Sequence, residues 1–343
     1  MIFVTGGTGL VGSHLLLALL QRGEKVRALK RPKSNIGQVL RTFGWYTSDA
    51  EKLYNRIDWV DGDILDIYSL EPLLEGVDTI YHCAAIVSFD PRERKNMIAN
   101  NVQGTANLVN AAIHKRVKRI CHVSSVSALG KTGHGDPVTE ETNWIPSRKN
   151  TGYSQSKFFS EAEIWRGVEE GLDAVIVNPS IIIGPGNWQS GSPSFFRVID
   201  GGMKFYTRGT TGYVGIHDVV GAMLLLMEKD IFDQAKNQRF LLNTENLSYR
   251  DFFSKVAYAL KKPAPSFLAT RFLLEMAWRM AAFAALFTRK PAQITRETIS
   301  SANAVIRFDG SKITTLFGFK YRSIEESINQ TAKIYSGSGM KYQ

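Results

Sequence analysis

Tyr153 and Lys157 stand four residues apart in Tyr153-Ser154-Gln155-Ser156-Lys157. That spacing puts both on one face of a helix. A phenol titrates near about 10, too high for an effective base at neutral pH. An ammonium group held beside it favours the phenolate and lowers that value. A base poised nearer working pH moves protons better. Ser125 lies 28 residues before Tyr153, at the end of the run Arg119-Ile120-Cys121-His122-Val123-Ser124-Ser125. Its hydroxyl could hydrogen-bond a substrate oxygen. The three side chains are candidates for proton transfer at a carbonyl or hydroxyl group. A Tyr-x-x-x-Lys pair alone occurs on any amphipathic helix, so the elements around it decide.

The most informative element is the start of the chain. Ile2-Phe3-Val4-Thr5 is a short run of β-formers. Gly6-Gly7-Thr8-Gly9-Leu10-Val11-Gly12 follows, and an apolar helical stretch begins at Ser13. Strand, glycine turn and helix start, in that order, make a dinucleotide cradle. A turn without Cβ atoms lets backbone N–H groups approach a pyrophosphate. The helix start adds unpaired donors and a partial positive charge. Gly12 lets the helix pack close to the strand. The cradle residues are Gly6, Thr8, Gly9, Leu10, Val11 and Gly12.

Lys25-Val26-Arg27-Ala28-Leu29 reads as the second strand. An NAD site places an acid at the end of that strand for the ribose 2′-hydroxyl. Here the strand runs into Lys30-Arg31-Pro32-Lys33, where a 2′-phosphate would meet cations, so NADP is expected, with NAD left open. Further strands are read at 57–60, 79–85, 119–125, 174–177 and 239–243, with a helix over 101–112 and a helical insertion over 34–56. The alternation predicts an α/β fold, a doubly wound parallel sheet with helices on both faces. A smaller, mostly helical C-terminal substrate domain completes it. The boundaries read as 1–180 plus 214–244 for the dinucleotide-binding domain, and 181–213 plus 245–343 for the substrate domain. Ligands should bind at the carboxyl ends of the strands. The glycine loop, Arg31, Lys33, Asp63, Ala84-Ala85 and Ser124-Ser125 all fall there.

From Thr5 through Tyr153 and Lys157 to Ile216-His217-Asp218-Val219, the sequence resembles the extended short-chain dehydrogenases/reductases, the NAD-dependent epimerase/dehydratase family. Val26 to Pro32 and the tail signature Phe308-Asp309-Gly310-Ser311-Lys312 resemble its dihydroflavonol reductase and 3β-hydroxysteroid dehydrogenase-like branch. The resemblance implies that Tyr153 is the acid/base, that Lys157 holds the nicotinamide ribose and tunes Tyr153, and that Ser125 orients the carbonyl or hydroxyl. It implies adenine contacts from Asp63 and Ile64, a ribose turn at Ala84 and Ala85, and further cofactor contacts from Asn101 and Ser124. Pro179 to Ile182 would line the nicotinamide. Two positions depart from the pattern. Val126-Ser127 follows Ser125, where sugar-nucleotide dehydratases place an acidic pair. Asn178 precedes Pro179, where the sixth strand usually carries Arg.

The 343 residues are 44% hydrophobic and 22% charged, a globular balance. Cys83 and Cys121 lie in apolar strand-like runs and read as buried reduced thiols, not as a metal site. With no leader before the first strand, the compartment reads as cytoplasmic. The formal charge of +10 is scattered, with no basic block, so nucleic acid is not an expected partner. Phe267 to Phe287 is apolar apart from Arg271, Glu275 and Arg279, which argues against a transmembrane span. A core or dimer helix, a lid over the substrate and a weak membrane-surface contact all fit that stretch. A homodimer is left open.

The expected partner is a small-molecule substrate. The expected activity is NADP-dependent interconversion of a carbonyl and a secondary alcohol by a Ser-Tyr-Lys site. A nucleotide-sugar epimerase using NAD and a cofactor-sensing protein without chemistry are the alternatives. Trp188, Phe195, Phe196, Phe205 and Tyr206, on segments expected to cover the site, suggest an apolar substrate.

Overall fold

The computed structural model describes residues 1–88, 90–132, 135–147, 150–270, 273–276, 278–279, 299 and 302–338. The chain opens with β1 (Ile2–Thr5), α1 (Leu10–Gln21), β2 (Val26–Lys30), α2 (Gly37–Gly44), α3 (Ala50–Tyr54) and β3 (Asp58–Asp61). Then come α4 (Ile67–Leu70), β4 (Thr79–His82), α5 (Arg94–Ile98), a π-helical turn over Ala99–Gln103, α6 (Gly104–His114) and β5 (Arg119–Val123). α7 (Gly152–Glu169) and β6 (Asp173–Pro179) follow.

Seven strands form one parallel sheet in the order β10-β6-β5-β4-β1-β2-β3, where β10 is Gln238–Leu242. Winding runs outward in both directions from β1 and β4. The crevice between their carboxyl ends is the switch point at which such sheets bind ligands.

Strand periodicity builds a core on each face. Phe3, Leu29, Ile80, Ile120, Ala174 and Ile176 pack with Leu70 of α4, Leu108 of α6 and Ile164 of α7. Their alternate neighbours Val4, Ala28, Tyr81, Cys121, Val175 and Val177 pack on the other face with Leu15 and Leu19 of α1. Both faces being covered is why these strands read as nearly continuous apolar runs.

After β6 the chain leaves the sheet through β7 (Ile181–Ile183), α8 (Ser194–Asp200), β8 (Phe205–Tyr206) and β9 (Thr210–Gly215). It returns through α9 (Ile216–Leu226) and α10 (Lys229–Ala235) to β10, which lies parallel to β6 with Leu241 opposite Asn178. β11 (Glu245–Ser248), α11 (Tyr249–Ala259), β12 (Phe267–Leu268), α12 (Ser311–Phe317) and α13 (Ile324–Gly337) complete the described elements. A three-stranded sheet, β11-β9-β7, and a two-stranded one, β12-β8, accompany these helices. The sequence reading had placed neither small sheet. Phe267 and Leu268, expected to open a helix, are strand, and most of the 267–287 stretch lies outside the described residues. Among the described residues no helix is long and apolar enough to cross a membrane.

Candidate active site

The glycine turn is shaped by two close approaches. Gly6 has φ +68°, and a Cβ there would sit 2.5 Å from the Ala84 nitrogen. A Cβ on Gly12 would meet the Gly6 carbonyl oxygen. Gly9 donates its N–H to that same carbonyl at 2.9 Å and caps α1 without a side chain. The N–H groups of Leu10, Val11 and Gly12 therefore begin a helix with no acceptor inside it. Leu10 also lies beneath Gly186, on the segment that follows β7. Such a cradle fits a pyrophosphate.

Around it, Asp63 spends one oxygen on the Leu65 N–H at 3.0 Å, which fixes the turn after β3. Asn107 holds the Ile64 carbonyl at 2.9 Å. The Ala84 N–H donates to the Thr5 hydroxyl oxygen at 3.3 Å. The four-residue basic run divides: the Lys30 ammonium is taken by Asp61 at 2.6 Å. Arg31 and Lys33 are exposed and make no ion pair among the described residues.

Two residues expected at the cofactor face neighbouring protein groups. Asn101, in the π-helical turn, holds the Ile86 backbone from both sides, at 2.8 and 2.9 Å, and also Ser156. It orders the segment after β4. Ser124 donates to Glu161 Oε2 at 2.7 Å. Pro179 ends β6 in a buried position, and Ile182 of β7 is half-buried.

α7 carries Tyr153 and Lys157. Thr151 caps it by accepting the Ser154 N–H, which sets Tyr153 in the first turn. The hydroxyls of Tyr153 and Ser125 are hydrogen-bonded. Burial raises the Tyr153 pKa, and the Ser125 bond opposes the rise. The opposing effect was expected from Lys157. Instead the Lys157 ammonium is turned to the Val123 carbonyl, 2.9 Å away. Its own pKa is lowered to about 8, mainly by burial, with Cys83 and Glu161 acting against that. Ser125 Oγ also accepts the Ser127 N–H at 3.1 Å, which fixes its rotamer.

The profile of the NAD dependent epimerase/dehydratase family matches residues 2–237. This chain belongs to that family. It is therefore an enzyme that uses a nicotinamide dinucleotide, built on the extended short-chain dehydrogenase/reductase plan. It is 29% identical to a putative dihydroflavonol 4-reductase of Synechocystis sp., over 98% of this chain and 95% of that one. It is 34% identical to sterol demethylase protein B of Methylococcus capsulatus, over 71% and 69% of the two chains. Among solved structures, the dTDP-glucose 4,6-dehydratase of Streptomyces venezuelae superposes with a TM-score of 0.76 at 22% identity, over 98% and 97% of the chains.

Sequence reasoning missed Glu161 and Arg239. Glu161 is 3% exposed, accepts hydrogen bonds from Ser124 and Asn178, and is paired with Arg239 at 3.2 Å. Its signal was available: it continues the spacing of Tyr153 and Lys157 by another four residues. The aromatic lining also needs correction. Trp188 and Phe196 are fully buried with Tyr213 and Phe252 in the core beneath the small sheet. They pack into that part of the core.

Proposed function

We propose that this protein is an NADP-dependent reductase. It would interconvert a carbonyl and a secondary alcohol on a substrate with a bulky apolar part. The observation that carries this reading is the hydrogen bond between Tyr153 and Ser125, with Lys157 buried one helical turn along α7. When bound, the dinucleotide supplies or takes up the hydride. Gly6 to Gly12 would hold its pyrophosphate, Asp63 and Ile64 its adenine, and Arg31 with Lys33 its 2′-phosphate. Charge-assisted bonds to phosphate are among the stronger ones.

Tyr153 acts at the substrate oxygen. In reduction it gives up its phenolic proton as the carbonyl oxygen gains charge. Ser125 donates a hydrogen bond to the same oxygen, and its position is fixed before substrate arrives. Lys157 uses one of its three N–H bonds on Val123, which leaves donors for the ribose hydroxyls. Its positive charge below pH about 8 stabilises the phenolate that proton transfer leaves behind. In oxidation the same groups work in reverse.

The apolar substrate is supported by the names of the relatives, which include reductases of dihydroflavonols and cinnamoyl-CoA and a sterol-processing protein. Val87, 58% exposed on the segment after β4, and Ile182, after β6, supply apolar surface at the strand ends. The test follows NADPH oxidation with a dihydroflavonol and a 3-ketosteroid, both ketones. Turnover of either, with no epimerisation of UDP-glucose, is expected. Epimerisation of UDP-glucose with no net NADPH oxidation would replace this reading.

A further inference from the structure

Four donors converge on one carboxylate behind the catalytic triad. Glu161 Oε2 accepts from Ser124 Oγ at 2.7 Å and from Asn178 Nδ2 at 2.8 Å. Glu161 Oε1 accepts from Arg239 at 3.2 Å and from the Trp165 indole at 3.4 Å. Asn178 Nδ2 also donates to the Ser125 carbonyl, at 3.1 Å. Glu161 and Asn178 are 3% and 0% exposed.

This network joins four elements. Glu161 sits on α7, one turn past Lys157 and two past Tyr153. Ser124 and Ser125 follow β5, Asn178 is in β6 and Arg239 in β10. The residue before Ser125 and the Ser125 carbonyl are thus both tied, directly or through Asn178, to the helix that carries Tyr153. Where the family usually places Arg on the sixth strand, this chain has Asn178, and a guanidinium reaches the carboxylate from β10 instead.

We propose that Glu161 is a positioning residue of the active site, which locks Ser125 to Tyr153 and counters the charge of Lys157. It touches neither substrate nor cofactor. The inference rests on the reading of Tyr153 and Lys157 given above. The titratable groups that face Lys157 are Glu161 on α7, His82 at the end of β4 with Cys83 just after it, and His122 on β5. Burial holds His82 neutral, with its pKa lowered to about 3, and pushes the Cys83 thiol up to about 12. His122 is likewise lowered by burial. With these groups uncharged near neutrality, Glu161 is the carboxylate that balances the ammonium, and Arg239 shares it from the far side.

A glutamine at 161 keeps the shape and loses the function. Its NH₂ group would confront either the Ser124–Asn178 pair or the Arg239–Trp165 pair, all donors toward this position. Glu161→Gln and Arg239→Gln should be compared with wild type and with Tyr153→Phe. The dihydroflavonol serves as substrate and NADPH fluorescence reports binding, each across pH 6 to 10.

In Glu161→Gln, kcat should fall by up to about 100-fold, the cost of misplacing reacting groups by about 1 Å. NADPH affinity at pH 6.5 should stay within about twofold of wild type. The alkaline limb, in kcat and in NADPH affinity, should move down by roughly 0.5–1 pH unit, as expected for one charge removed a helical turn away. In Arg239→Gln, which leaves the carboxylate unshared, the limb should move up. A residue needed only for folding would lower melting temperature and active fraction without moving either limb.

Unmoved limbs in Glu161→Gln would overturn the proposal. If that variant does not fold, an unmoved limb in Arg239→Gln would do the same. Full turnover in Tyr153→Phe would instead sink the catalytic reading. The NADPH titration of the Glu161 variant can be read in either case.

Discussion

Replacing Gly12 by alanine should damage cofactor binding far more than replacing Gly9, three residues away in the same loop. The added Cβ at position 12 would lie 2.8 Å from both the Gly6 carbonyl carbon and the Gly7 Cα, and closer still to the Gly6 oxygen. Carbon and carbonyl oxygen normally approach no closer than about 3.3 Å. Loop and helix must therefore part by about 1 Å. All the atoms met are backbone, so no side chain can yield. Crowding of this kind costs about 1–3 kcal/mol of stability. The displaced Gly6 carbonyl is also the one that Gly9 uses to close the turn. If the movement costs one charge-assisted bond to the pyrophosphate, about 1.5–3 kcal/mol is lost, roughly a 10- to 100-fold weaker Kd. At Gly9 the new Cβ meets only the Gly6 oxygen, at 3.3 Å, and φ is −82°, which alanine adopts freely. NADPH fluorescence titration and thermal melts on both variants provide the measurement. A Gly12→Ala protein that binds within twofold of wild type, or a Gly9→Ala protein that binds worse than it, would refute the argument.

Tyr153→Phe should lower kcat by about 10²–10⁴, the usual worth of a positioned acid/base, while Kd for the dinucleotide changes less than twofold; stopped-flow turnover and titration separate the two. Arg31→Ala should weaken NADPH by roughly tenfold or more through loss of a charge-assisted bond and leave NADH unchanged; equal weakening of both would remove Arg31 from the 2′-phosphate. Stability should fall in acid. His14 and His82 are lowered to about 3 by burial, so between about 6.5 and about 3 the unfolded chain binds protons that the folded chain refuses. Asp218, raised to about 6 by burial, acts in the opposite sense, because its contribution is lost as pH rises through that value. The buried histidines outnumber it, so melting temperature should drop from pH 7 to pH 4.5; a flat profile would contradict the burial of these rings.

The parallel sheet was legible because its strands are buried on both faces and read as short apolar runs between turn residues. The placing of Ser125 just past a strand and of Tyr153 and Lys157 one turn apart on a helix was legible from their spacing. The burial and pairing of Glu161 were not, since a carboxylate on a helix usually marks a solvated face. Its charged partner, Arg239, lies 78 residues later on β10. The division of labour among Lys30, Arg31 and Lys33 was hidden for the same reason: only the pairing of β2 with β3 brings Asp61 against Lys30. For Trp188 and Phe196 composition left lining and core both open, and the structure buries them in the core.

β10 reaches its place beside β6 only after the 58 residues between them, which hold β7 through α10, have been made and set aside. On a ribosome, the first six strands are complete when Pro179 is added. At that moment β6 is an open edge, and Glu161 has no arginine. The surroundings of Tyr153 and Lys157 on α7 are thus begun early and finished late, when Arg239 and Leu241 arrive and the edge is closed. A nascent chain halted between these points would hold most of the sheet and lack one side of the Glu161 network. Its exposed strand would present Val175 and Val177 to whatever lay nearby, so the interval before β10 docks is when this protein most needs protection from aggregation.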